Sequence, residues 1–310
     1  MKRFIVILIF LLVFFLFACG GSHSIPKSPE PLTIGMKETA KGITKYKKGC
    51  YKDSLEHFFR AHELFTATDH LSGVAMSLNN IGNVYRATGD SKSAVLFFNE
   101  SFSIYTNMGE NKEAVQVLSN KASAMIDDGM LKEATKVLNT AEDSAKKNDF
   151  LFVPLLNTRG ILLIKKKEYT RAEEILQKAL TDVDPENFSE YATVNFTLGN
   201  LMLETQRYEK AVDLFTLSLK ADRASGFTKG VADDLAAIGL AYSHQKKDHL
   251  AVDFFKRSIK IYALMGNKKK VHETMKQLER VSEKTGFDLS VTNHFVNRWL
   301  EGKSFEKPCE

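Results

Sequence analysis

Ile81-Gly82-Asn83-Val84-Tyr85 sets a glycine among apolar residues in a helix-period segment, and a small residue fills the same slot five more times. Gly42, Gly82, Ala122, Gly160, Gly199 and Gly239 recur at spacings of 40, 40, 38, 39 and 40 residues. Self-similarity at a fixed period marks a repeat array. Glycine inside a helix costs about 1 kcal/mol relative to alanine, so its return at equivalent mid-helix places implies a compensating gain from close helix contact. Twelve residues after each comes a second small column, Ser54, Ala94, Ala134, Ala172, Ala211 and Ala251. Four further on lie Phe58, Phe98, Leu138, Leu176, Phe215 and Phe255, and three beyond those Ala61, Ser101, Ala141, Ala179, Ser218 and Ser258. The pattern predicts stacked helix pairs, which have no built-in catalytic pocket and present a concave surface.

These columns resemble the tetratricopeptide repeat, whose first helix carries a small residue in motifs such as Ile81-Gly82-Asn83-Val84-Tyr85 or Leu198-Gly199-Asn200. Units near 40 residues are similar to the longer repeats of kinesin light chain and bacterial peptide-sensing regulators, and the usual inter-repeat proline survives only as Pro185. The resemblance implies an all-α, right-handed superhelical solenoid of six helical hairpins over residues 36–267, with a helical cap at 268–301 and a polar tail at 302–310. Repeats two and six end alike, and Gly109 and Gly266 are expected to cap their helices in the left-handed conformation.

Met1-Lys2-Arg3 precedes fifteen uninterrupted apolar residues, Phe4 to Ala18, and then Cys19-Gly20-Gly21. A basic start, a short apolar stretch and small residues after it read as a secretory signal over residues 1–18. Leu16-Phe17-Ala18-Cys19 resembles the bacterial lipobox, which implies lipidation of Cys19 and an anchored protein of the cell envelope. Gly20 in place of an aspartate favours, by the same resemblance, the outer membrane facing the periplasm. Residues 19–35, with Pro26, Pro29 and Pro31, lack an apolar period and are expected to form a flexible tether.

Without Lys2 and Arg3 the basic side chains number 41 against 38 acidic ones, too even a balance to imply nucleic acid. The lysine runs at Lys47-Lys48, Lys165-Lys166-Lys167 and Lys246-Lys247 fall at helix carboxyl ends, where cations complement the dipole. Cys50 and Cys309 are expected at opposite ends of a stacked solenoid, too far apart to be bridged. No Cys/His pattern suits a metal, and no Gly-rich phosphate loop or nucleophile elbow is present. His62-Glu63 and His272-Glu273 lack the second histidine of a metalloprotease helix, since Thr66 and Lys276 stand there. The sequence therefore predicts neither enzyme, metal site nor cofactor.

At about 100° per residue, the positions six and three before each glycine-column residue, and one and four after it, share one face. By the family resemblance this face lines the groove. In repeats two and three it is polar, with Asn79, Asn83, Arg86, Gln116, Ser119 and Ser123, and Asn120 adjoins it. In repeats four to six it turns apolar, with Ile161, Ile164, Phe196, Leu203 and Leu240 beside Asn157 and Asn200. Asn83 and Asn200 stand where related domains bond the backbone of a bound peptide, a task suited to an amide that both donates and accepts. The apolar half is expected to hold an amphipathic segment of a partner. In a competing arrangement Ser290 starts a last helix whose Val291, Phe295, Val296, Trp299 and Leu300 cover the groove or cap repeat six. These readings converge on a protein-binding scaffold for envelope proteins or peptides, or alternatively a sensory module that changes conformation on binding a short peptide.

Overall fold

The computed structural model describes residues 30–150, 152–304 and 309, so the signal segment and Cys19 lie outside the described residues. Among the described residues there are fourteen helices and no strand. The first helices of the six hairpins are α1 (Glu30–Lys47), α3 (Leu71–Thr88), α5 (Asn111–Asp127), α7 (Val153–Lys165), α9 (Phe188–Glu204) and α11 (Thr228–His244). Their partners are α2 (Tyr51–Ala67), α4 (Ser91–Met108), α6 (Leu131–Lys147), α8 (Tyr169–Asp182), α10 (Tyr208–Ser225) and α12 (Asp248–Leu264). Two further helices follow, α13 (Lys268–Thr285) and α14 (Ser290–Leu300). Residues 30–35, expected in the tether, instead open α1. Pro31 sits in the first turn, where its missing N–H sacrifices no helical bond, and Glu30 faces the positive end of the dipole.

The glycine column does the work its recurrence implied. A Cβ on Gly42, Gly82, Gly160, Gly199 or Gly239 would come within 2.4–2.8 Å of Phe58, Phe98, Leu176, Phe215 or Phe255, the large apolar residue of its own hairpin. The second helix thus packs its widest side chain flat on the backbone of the first. Ala122 and Leu138 share the core of repeat three, so that unit accommodates the one methyl present in the column. Serines in the small columns tie helices together, Ser54 Oγ donating to the Gly42 carbonyl at 2.9 Å and Ser258 Oγ to that of Ala232 at 2.7 Å.

The array does not stay open. It curls until the first hairpin meets the fifth and sixth: Tyr46 stacks on Phe227 with ring centroids 6.3 Å apart, and Lys47 Nζ donates to the Ser225 carbonyl at 3.3 Å. The turn at Gly49 abuts Met265 so closely that a Cβ there would lie 2.1 Å from its methyl group. Across this seam Cys50 and Cys309 form a disulfide with Cα atoms 5.2 Å apart, and Lys45 Nζ donates to the Cys309 carbonyl at 2.7 Å. The expectation of two unbridgeable thiols is overturned. It treated the stack as straight, whereas small rotations between repeats accumulate and bring distant ends together.

α14 packs on α12 and caps the sixth hairpin, burying Val296 with Trp299 and Leu300 beside it. Val291 and Phe295 of the expected stripe remain exposed. Leu289, not Ser290, occupies the N-cap, and Asp288 Oδ1 accepts from the Ser290 N–H at 2.8 Å. Gly109 is left-handed at the end of α4, and Gly266 likewise after α12, as their positions predicted.

Candidate functional site

Curling forms a half-open cavity of about 550 Å³, within the range of small-ligand pockets. Its floor is built from first helices. α3 contributes Asn80, Asn83 and Arg86; α5 contributes Gln116, Ser119, Asn120 and Ser123; α7 contributes Pro154, Asn157, Thr158 and Ile161. The start of α9 supplies Ser189, Glu190 and Thr193. The stacked pair Tyr46 and Phe227, together with Ile43, forms the wall at the seam.

Amides and hydroxyls are organised into two networks. Asn120 Nδ2 donates to Asn79 Oδ1 at 2.9 Å, and Gln116 Nε2 donates to Asn120 Oδ1 at 3.0 Å, so Asn79 braces the lining from behind. Thr158 Oγ1 lies 2.9 Å from Ser119 Oγ and 3.3 Å from Ser123 Oγ, and itself donates to the Pro154 carbonyl. Asn157 is 4% exposed, and its Oδ1 is buried without a hydrogen-bond partner among the described residues. A buried acceptor of this kind costs roughly 1–3 kcal/mol until something donates to it.

Charge in the cavity is sparse. Arg86 Nε is already paired with Asp127 Oδ2 at 2.7 Å. Glu190 has its pKa pushed up by burial, which favours its neutral form, while the Asn187 side chain opposes that shift. No group of three or more His, Cys, Asp or Glu suited to a metal occurs among the described residues. The lining therefore suits a neutral, polar ligand with donors and acceptors along its length, such as an extended peptide backbone.

Of the residues chosen from the sequence, Asn83, Arg86, Asn120, Asn157 and Ile161 line the cavity, and Asn79 stands behind it. Ile164, Phe196 and Leu203 do not: they are half-buried against the shared core of repeats four to six, Phe196 with its ring 5.4 Å from that of Phe215. Leu240 packs on the core of repeat six, and Asn200 is half-buried outside the lining. The apolar face thus packs in part on its own neighbours, outside this cavity. Sequence reasoning missed Phe227 and Glu190, because the wheel places residues within one repeat and says nothing of which repeats meet across the ring; Tyr46, four after Gly42, lay on the wheel face and was overlooked. Thr193 lay on the same wheel face, six before Gly199, and was within reach of that argument.

Fold and cavity together define a helical-hairpin solenoid that lines a ligand-sized space with side-chain amides. Residues 35–107, the first two hairpins, match the tetratricopeptide repeat family. The four hairpins that follow repeat their architecture. A Rap protein complexed with Competence and Sporulation Factor is similar over 83% of this chain and 77% of its own, with TM-score 0.58 and 15% identity. The Rap conjugation gene regulator of plasmid pLS20, in complex with the Phr* peptide, is similar over 93% and 80%, with TM-score 0.63 and 16% identity. The apo form of RapI gives 81% and 98%, TM-score 0.50 and 16% identity. At such identities the likeness is one of fold. Among curated proteins none matches.

Proposed function

We propose that this protein is a non-catalytic binding module of the bacterial envelope that holds a short, extended peptide or protein segment in its amide-lined cavity. The observation that carries the reading is a cavity lined by the side-chain amides of Asn80, Asn83, Gln116, Asn120 and Asn157, carried on three consecutive first helices. An extended backbone offers N–H groups and carbonyls to such amides, each of which both accepts and donates. The fold shared with Rap proteins complexed with Competence and Sporulation Factor and with the Phr* peptide is consistent with it. Screening the protein against a displayed library of short peptides, followed by calorimetry of those selected, tests it. Asn157→Ala and Asn83→Ala are each expected to weaken binding about tenfold. Peptides that bind both variants as tightly as the parent would reject the cavity as the site.

The envelope location rests on the amino-terminal signal and on Cys19. It is supported by the Cys50–Cys309 disulfide, since such bonds persist in oxidising compartments outside the cytosol. No helix among the described residues is long and apolar enough to cross a membrane, and the attachment proposed is a lipid at Cys19. Fatty-acid labelling that is lost in Cys19→Ala supports the anchor, and labelling that persists removes it. A regulatory role is the second reading. Tyr46 and Phe227 line the cavity and also make the seam, so an occupant touches the contact that sets the superhelix closure.

A further inference from the structure

We propose that the Cys50–Cys309 disulfide is a redox-responsive clasp that keeps the superhelix closed around its cavity. The bond joins residues 259 apart in sequence, tying the turn between α1 and α2 to the carboxyl-terminal tail. The noncovalent contacts along this seam include the Tyr46–Phe227 stack, the Lys47 bond to the Ser225 carbonyl, the packing of Gly49 on Met265, and the Lys45 bond to Cys309 itself. The Lys45 bond holds the tail only while the tail is in place. Hairpins adjacent in sequence, by comparison, share buried apolar clusters. The seam thus joins hairpins far apart in sequence, and the disulfide is the covalent link across it that a change of redox poise can remove.

Cys50 is 3% exposed while Cys309 is only half-buried, so an attacking thiolate reaches the Cys309 sulfur first. A dithiol reductant forms a mixed disulfide with Cys309 and expels Cys50 as a thiolate, which takes up a proton. The reductant's second thiol then closes its own disulfide and releases Cys309 as a thiol. One dithiol is oxidised, one cystine is reduced to two cysteines, and two electrons and two protons pass to the protein. With the link gone, Tyr46 and Phe227 separate and the cavity gains an opening at the seam. The consequence for ligand entry rests on the cavity being the binding site; the movement of the seam does not.

Hydrogen exchange followed by mass spectrometry tests the clasp on the purified, non-reduced protein, before and after dithiothreitol treatment, with no ligand required. Reduction is expected to accelerate exchange about tenfold in residues 44–50 and 223–229 while residues 118–126, in the middle of the array, stay unchanged. Reoxidation is expected to restore protection, and Cys309→Ser to show the reduced pattern without any reductant. Equal seam protection in the oxidised and reduced protein would overturn the proposal, as would two free thiols in protein recovered from an oxidising compartment. A reduced protein with a mobile seam that still fails to bind selected peptides would count against the proposed function and leave the clasp standing.

Discussion

A single backbone slot, seven residues after the glycine column, separates the two helices of every hairpin. Gly49, Gly89 and Gly129 fill it in the first three repeats with φ of 78° to 88°, whereas Lys167, Gln206 and Lys246 fill it in the last three with φ of 60° to 63°. The left-handed conformation costs a residue with a Cβ roughly 1–2 kcal/mol. It is held there because the following N–H bonds a carbonyl of the last helical turn: Glu168 N to the Leu163 carbonyl, Arg207 N to Met202, Lys247 N to Tyr242. Lys246→Gly relieves that strain and gives back part of the gain through a freer unfolded chain. The expected net is a stabilisation of about 0.5–1 kcal/mol in urea unfolding, with Lys167→Gly and Gln206→Gly following suit. Destabilisation in all three would show that the lysine and glutamine side chains make the turn. The converse holds in the helices, where Gly199→Ala pushes a methyl to 2.5 Å from the Phe215 ring and is expected to cost about 1–3 kcal/mol by the same measurement.

Helix by helix, the sequence foretold which faces meet more surely than which faces remain open. The glycine, serine and phenylalanine columns could be read because each contact lies within one hairpin and repeats six times. The apolar half of the expected groove lies mostly outside the cavity, because a side chain on the inner face of a first helix has two destinations, the cavity or the gap to the next first helix. Phe196 and Leu203 take the second. Phe196→Glu is accordingly expected to unfold repeats four to six, costing about 3–5 kcal/mol, instead of selectively abolishing binding; thermal melting by circular dichroism distinguishes the two outcomes. A subtler element effect lies between α10 and α11. Asp234 stands five before the glycine column, where repeats three to five have Val117, Leu155 and Val194, and Asp222 stands where repeats one, two and six have Phe65, Tyr105 and Tyr262. Both are buried, and both have their pKa pushed up, first by burial and next by neighbouring acids: Asp233 for Asp222, and Asp222 with Asp233 for Asp234. Ser218 beside Asp234 works the other way. A carboxyl whose pKa is raised by folding stabilises the native state below its unfolded value near 3.9 and loses that contribution as pH climbs through the folded value. Stability is therefore expected to fall by on the order of 2 kcal/mol from pH 5, where ordinary carboxylates have titrated, to pH 8. Urea unfolding across that range checks the sign, and Asp234→Asn should flatten most of the slope; a stability that rises over the same interval would contradict the buried pair.

At the scale of the whole molecule, closure was the property the residues concealed. Every repeat specifies its contacts with the next, yet the angle between neighbours is a small quantity set by packing, and only the sum over six decides whether the ends meet. Tyr46, Phe227, Cys50 and Cys309 carry no local pattern that marks them as partners; they become partners through that sum. Closure also changes how the array should unfold. An open solenoid has nearest-neighbour coupling alone, so its terminal hairpins fray before the middle. Here the disulfide spans 259 residues, and in the chain-entropy account a loop of that size takes a large share of freedom from the unfolded chain while denying the first hairpin an independent escape. The oxidised protein is expected to unfold in guanidinium as one transition seen alike by circular dichroism and by Trp299, the sole tryptophan, which reports on the cap of repeat six. The Cys50→Ser protein is expected to lose about 2–5 kcal/mol and to split into two transitions, the tryptophan signal changing first. Coincident transitions in both forms, at the same midpoint, would mean that noncovalent contacts alone hold the ring shut.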